Sequence, residues 1–203
     1  WSPQGSPGLV EILKNKGIFY DVREEIARKL STWSPQESPG LVEVLKNKGI
    51  DYRVRIKIAR RLSPWSLQGS LGLVEILEDE NIDYDVRKEI ARKLSPWSPQ
   101  GSPELVKMLK DGSIDYSIRK EIAQKLSPWS LQGSPELVEI LKDKGIFYDV
   151  RMEIARKLSP WSLQGSPELV EMLKDKDIDY NIRKGIARRF DGRIEQVRSL
   201  IAK

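Results

Sequence analysis

Tryptophan, tyrosine and arginine are the side chains of this 203-residue sequence whose spacing could do chemistry. Trp1, Trp33, Trp65, Trp97, Trp129 and Trp161 are all of its tryptophans and stand 32 residues apart. Tyr20, Tyr52, Tyr84, Tyr116, Tyr148 and Tyr180 each follow 19 residues later, and Arg23, Arg55, Arg87, Arg119, Arg151 and Arg183 keep the same phase. The chemistry open to such ladders is non-covalent. Stacked helices lie about 8–10 Å apart, so an aromatic ladder at that pitch could grip an extended or polyproline peptide at about every third residue. The pitch is too wide for a continuous stack of successive bases, although splayed bases would fit. The competing use is packing, in which a buried indole covers on the order of 150–250 Å² and donates its N–H to a nearby carbonyl. Retention of tryptophan in every repeat fits a role shared by every repeat. We therefore expect the six tryptophans and six arginines to be inter-repeat joints. Each tyrosine lies between an isoleucine and the helix that follows, and reads as a joint as well.

Covalent chemistry has little to work with. The chain has no histidine and no cysteine, which removes the commonest general base, the commonest metal ligand, thiolate nucleophiles and disulfides. Acids recur at capping and solvent positions, and a pair doing acid–base work would be repeated several times over, unlike an active site. Glycines occur singly rather than in phosphate-cradling loops. The expectation is a non-enzymatic chain with no cofactor and no metal. No run approaches the roughly 18–20 apolar residues of a membrane span, and the lack of cysteine leaves the compartment open.

Charge gives a second candidate chemistry. Arg28-Lys29, Arg60-Arg61, Arg92-Lys93, Gln124-Lys125, Arg156-Lys157 and Arg188-Arg189 would place basic residues at the end of each repeat's second helix, a stripe able to track phosphates. The helix dipole by itself also favours bases at that end. The balance is mixed, 35 basic residues against 30 acidic, and the second and third repeats carry net charges of +4 and −3.

These side chains need a regular frame to hold them in phase. A fixed period between about 20 and 50 residues is the signature of a solenoid, in which each repeat buries its apolar face only by stacking on neighbours. Within a repeat, Ser102-Pro103-Glu104 reads as a helix start, with Ser as N-cap, Pro at the first helical position and an acid in the first turn. Leu105, Val106, Met108 and Leu109 then line one face. The helix is expected to stop at Gly112, or at Gly17, Gly49 and Gly145 in other repeats, with glycine in the left-handed position. A second helix starts near Asp83 or Asp85, carries Val86, Ile90, Ala91 and Leu94 inward, and ends before Pro96. The connector, Ser63 to Gly69, reads as one short 3₁₀-like turn with Ser63 capping, Pro64 first in the turn and Gly69 closing it.

The fold class expected is all-α, a right-handed α-solenoid of six repeats, each a short 3₁₀-like turn plus two helices. The repeats run 1–32, 33–64, 65–96, 97–128, 129–160 and 161–190. Residues 191–203, with Ile194, Val197, Leu200 and Ile201 on one side, read as a C-terminal capping helix. No equivalent cap precedes Trp1, which points to further repeats upstream.

The second helix with its lead-in, Asp83-Tyr84-Asp85-Val86-Arg87-Lys88-Glu89-Ile90-Ala91, resembles that of HEAT-type repeats, in which an aspartate precedes a Val-Arg pair. The short extra turn is also similar to armadillo repeats and to leucine-rich variant repeats. The armadillo asparagine that binds extended peptides has no counterpart recurring here. The HEAT resemblance implies a hydrogen-bond ladder between adjacent repeats, built from Asp51, Asp83, Asp115 and Asp179 with Arg55, Arg87, Arg119 and Arg183. Phe19 and Phe147 interrupt it, leaving Asp21 and Asp149 as candidates there.

What varies between repeats marks a third candidate. Three second-helix positions spaced i, i+3 and i+7 share a face away from the core: Asp21, Glu24, Arg28; Arg53, Ile56, Arg60; Asp85, Lys88, Arg92; Ser117, Lys120, Gln124; Asp149, Met152, Arg156; and Asn181, Lys184, Arg188. Ile56 and Met152 are expected to be exposed, as on a partner-contacting surface. The function expected is a scaffold binding a protein or extended peptide through this stripe. The alternatives are nucleic-acid binding through the basic helix ends, and a structural spacer or recently amplified or designed repeat with no specific ligand.

Overall fold

A helix of eight or nine residues does not persist alone in water, and the twelve helices among the described residues are all of that length. Their stability comes from stacking. The structure, a computed structural model, describes residues 7–67, 70–130, 134–161 and 166–190. Trp1, Gly69 and the segment 191–203, each carrying an expectation above, lie outside them.

Each repeat contributes a first and a second helix. They are α1 (Pro7–Lys14) and α2 (Tyr20–Arg28), α3 (Pro39–Lys46) and α4 (Tyr52–Arg60), α5 (Leu71–Glu78) and α6 (Tyr84–Arg92). The pairs continue as α7 (Pro103–Lys110) and α8 (Tyr116–Gln124), α9 (Pro135–Lys142) and α10 (Tyr148–Arg156), α11 (Pro167–Lys174) and α12 (Tyr180–Ala187). The protein is an all-helical α-solenoid of 32-residue repeats, with no strand among the described residues.

The chain forms two compact bodies, residues 1–95 with 113–121, and residues 96–112 with 122–203. In the first, second helices pack side by side, α2 on α4 and α4 on α6, while α1 packs on α3 and α3 on α5. In the second, α10 packs on α12 and α7 on α9. The apolar spacing explains the layers: Leu73, Val74, Ile76 and Leu77 of α5 meet Val86, Ile90 and Ala91 of α6, all of them buried.

The Ser-Pro-Trp phrase departs from the expected turn. Trp33, Trp65, Trp97, Trp129 and Trp161 form isolated parallel bridges with Leu62, Leu94, Leu126, Leu158 and Phe190. The Trp65 backbone N–H donates to the Lys93 carbonyl at 3.0 Å, and the Ser95 N–H donates to the Trp65 carbonyl at 2.8 Å. Ser63 and Pro64 therefore do not begin a helical turn. The proline ring pushes Ser63 out of the α region, and the Ser63 N–H is committed to the Trp33 carbonyl at 2.8 Å. Helical or turn character appears only after the tryptophan, at Leu67 and over 35–37 and 99–101.

Helix ends also differ from expectation. None of Gly17, Gly49, Gly112 and Gly145 adopts the left-handed backbone. The first helices instead run into an extended Asn or Asp, as at Asn47 and Asp143, whose side chain accepts the N–H two residues on. Asn47 Oδ1 accepts from Gly49 at 2.9 Å and Asp143 Oδ1 from Gly145 at 2.7 Å. That Asx turn does the work, and it tolerates Asn81 and Asp177 in the glycine position. Ser102 occupies the N-cap without a side-chain cap bond; among the described residues Ser70 is the N-cap serine whose Oγ accepts from the helix, at 3.3 Å from the Leu73 nitrogen.

Candidate binding face

The residues that recur in every repeat sort into buried and exposed. Trp33, Trp65, Trp97, Trp129 and Trp161 are all at most 5% exposed. Their indole N–H groups donate to the carbonyls of Ile58, Ile90, Ile122, Ile154 and Ile186 at 2.8–2.9 Å. Each indole follows one second helix and bonds the next, so the ring is sealed between them and unreachable by a ligand.

The six arginines are buried too, although a guanidinium stays charged and needs acceptors. Arg23, Arg55, Arg151 and Arg183 donate from Nη1 to the carbonyls of Leu13, Leu45, Leu141 and Leu173 at 3.1–3.5 Å. Arg55, Arg87 and Arg151 donate from Nε to Ile50, Ile82 and Ile146 at 3.0–3.1 Å. These leucine carbonyls belong to the last turn of the first helix, which has no intrahelical partner for them and carries the negative end of the dipole. The arginine thus bolts the two helices of one repeat together. The inter-repeat rung implied by the HEAT resemblance forms between Arg55 and Asp83. Asp51, Asp115 and Asp179 accept from the N–H groups of Arg53, Ser117 and Asn181 at 2.7–2.8 Å, capping their own helices.

Tyrosine behaves differently. Tyr20, Tyr52, Tyr116, Tyr148 and Tyr180 are 39–54% exposed and Tyr84 is half-buried, so they are not sealed as the tryptophans are. Each is the first residue of a second helix, where the Cα–Cβ bond tilts toward the N-terminus and away from the packed body. Cations of the chain lie on these rings. Arg53 Cζ is 5.5 Å from the Tyr20 centroid and 5.7 Å from that of Tyr52, Lys88 Nζ is 5.3 Å from Tyr84, and Lys184 Nζ is 6.0 Å from Tyr180. The Asp21 carboxylate beside Tyr20 holds its hydroxyl above the ordinary phenol range.

The variable stripe is split. Its outer positions are accessible: Asp21, Arg53, Asp85 and Asn181 at the start of the helix are exposed, with Ser117 and Asp149 half-buried, and Arg28, Arg60, Arg92, Gln124, Arg156 and Arg188 at the end are exposed. The middle position is not the open apolar contact expected. Ile56 is buried and Met152, like Glu24, Lys88 and Lys120, is half-buried; Lys184 is exposed. Side-by-side packing of the second helices places this position in their seam. There Lys57 pairs with Glu24 at 3.4 Å, and the Met152 methyl lies beside Gly185.

The basic helix ends are tied to acids. Arg28 meets Glu25 at 2.7 Å, Arg60 meets Glu89 at 3.6 Å, Arg92 meets Glu89 and Glu121 at 3.2 and 3.0 Å, and Arg156 meets Glu153 at 2.9 Å. The hydrogen bond from Arg28 holds the Glu25 carboxyl down to about 2. Arg61 and Arg189 donate to the carbonyls of Arg28 and Arg156 at 2.6 and 2.7 Å, bracing one second helix against the next. Among the described residues no helix is long and apolar enough to cross a membrane.

No protein-family model matches the chain, and neither the curated proteins nor the solved structures contain a detectable relative.

Proposed function

We propose that the chain is a non-enzymatic scaffold of the HEAT-like or armadillo-like kind, which holds a protein or extended peptide along the N-terminal rim of its second helices. One observation carries this reading. The recurring tryptophans and arginines have packing roles that account for their retention in every repeat, whereas the recurring tyrosines are largely exposed. Neighbouring surface positions have diverged, reading Asp, Arg, Asp, Ser, Asp, Asn immediately after the tyrosine, yet the tyrosine stands in all six repeats. Tyrosine supplies a large, stiff contact with a polar tip, the combination enriched at binding surfaces. Within each body, a rim repeating at about 8–10 Å suits an extended chain that offers a side chain at about every third residue.

Panning a random peptide library on the whole chain, then replacing Tyr20, Tyr52, Tyr84 and Tyr116 together with serine, tests the reading. Selected peptides should lose most of their affinity; peptides indifferent to the four changes would refute it. Tight pairing of the terminal arginines with glutamates favours this reading over phosphate tracking. Oligonucleotide affinity measured against salt discriminates the two, because phosphate contacts give a steep slope.

A further inference from the structure

We propose that the open face of the first repeat, on α1 and α2, is where a second copy of this chain docks, related by a two-fold axis with the two α2 helices antiparallel. The apolar residues of this face are ones that later repeats bury. Val22 and Ile26 of α2 correspond to Val54 and Ile58 of α4, Val86 and Ile90 of α6, and Ile182 and Ile186 of α12. All six of those are fully buried, on helices that pack side by side as α2 on α4, α4 on α6 and α10 on α12. In the first repeat Val22 is 49% exposed and Ile26 half-buried. On α1, Ile12 is 37% exposed, where Val44 of α3 and Ile76 of α5 are sealed. A solenoid repeat buries its apolar face only against a neighbour, and a face left open marks an interaction surface.

Charge selects the occupant. Asp21, Val22, Glu25, Ile26 and Lys29 line one open groove of about 380 Å³, with an acid at the start of the helix and a base at its end. Two copies of α2 laid antiparallel set the Asp21 of each against the Lys29 of the other, with Val22 and Ile26 of both copies between. Glu25, near the axis, does not oppose this contact, because Arg28 donates to both of its carboxylate oxygens at 2.7 and 2.8 Å. Within its own chain Asp21 lies beside the Tyr20 hydroxyl, and Lys29 reaches Glu25 at 3.4 Å in an exposed pair. Both leave room for a second partner, since a carboxylate accepts several hydrogen bonds and an ammonium donates three. A two-fold pair uses the same patch on both copies and covers both at once.

The test is sedimentation equilibrium of the full chain, whose mass should rise with concentration to that of a dimer and go no further. Asp21→Lys and Lys29→Asp each set like charges against one another twice across the axis, and each should weaken the dimer about tenfold. Mixed in equal amounts, the two variants should recover it, because each supplies the charge that the other has lost. Val22→Lys should weaken the dimer as well, and circular dichroism checks that each variant folds. A parent chain that stays monomeric, as it would if another part of the chain covered the face, overturns the proposal. So does a mass that keeps growing with concentration, the mark of head-to-tail stacking. Single charge variants that dimerise as the parent does, or a mixture that fails to recover the dimer, also overturn it.

Discussion

The indole N–H of Trp65 donates to the carbonyl of Ile90 at 2.9 Å, while the backbone of Trp65 is bridged to the segment around Leu94. One residue thus ties the exit of α6 to the chain that follows α4, with both its ring and its backbone. Trp65→Ala should lower stability by about 3–5 kcal/mol, combining lost burial with a cavity. Trp65→Phe keeps most of the apolar contact and removes one of two donors to the Ile90 carbonyl, which still accepts from the Lys93 N–H at 3.1 Å, and should cost about 0.5–1.5 kcal/mol. Urea unfolding of the two variants separates the contributions; a loss near zero for the alanine variant would contradict the sealed junction.

Arg55 is buried and bonds the Leu45 and Ile50 carbonyls as well as Asp83, whose carboxylate is 41% exposed. The asymmetry of exposure sets the asymmetry of effect. Arg55→Leu should cost about 2–4 kcal/mol, because the Leu45 carbonyl of the first helix and the Ile50 carbonyl of the connector lose their donor in a buried place. Asp83→Asn should cost no more than about 1 kcal/mol, since solvent screens that partner. Equal losses would mean that the rung between repeats, rather than the bolt within one, dominates.

Gly185 sits inside α12, and a methyl added there meets Ala155 Cβ at 3.4 Å and the Met152 methyl at 3.9 Å, ordinary contact distances. Its backbone needs no left-handed conformation. Gly185→Ala should therefore stabilise the chain by about 0.5–1 kcal/mol through helix propensity. A melting temperature that falls would show the seam between α10 and α12 to be tighter than these distances allow.

Phe147→Asp should restore the cap made by Asp51 and Asp179 and raise stability by about 0.5–2 kcal/mol. Thermal melts of the variant beside the parent chain check it.

With no histidine in the chain, stability should be flat between about pH 5 and 8, since no unperturbed side chain titrates there. On the acid side two carboxyls are held low, Glu25 by its hydrogen bond from Arg28 and Asp79 by hydrogen bonds from Lys48 and Asn81, each down to about 2. A depressed folded-state value means that the unfolded chain takes up protons first. Their contribution is present above the ordinary values of 4.5 and 3.8 and is lost as pH falls toward 2. Glu25 is exposed and Asp79 only half-buried, so the effect should be small and shrink further in salt. Chemical denaturation from pH 7 to pH 2.5 at two ionic strengths reads it; a decline beginning above pH 6 would point to a different group.

Periodicity is local information, and the 32-residue phase with its apolar spacing was enough to place two helices per repeat and the inward faces of Leu105, Met108, Val86 and Ile90. Composition in the same way left little for catalysis to use. What a helix meets on its outer side is not local. Ile56 and Met152 look like surface residues on a helical wheel, and they lie in a seam because α4 packs directly against α2 and α6, and α10 against α12. Tyr84 and its counterparts look like joints beside an isoleucine, and most are open because the first residue of a helix points back along the axis toward solvent. Ser63-Pro64-Trp65 reads as a turn by residue type, yet it runs extended because proline restricts the serine and a carbonyl and an N–H from another part of the chain stand ready to bridge the tryptophan. Residue type and spacing decide which conformations are cheap; burial and hydrogen-bond partners depend on which surfaces are brought together, and that is settled only when the repeats stack.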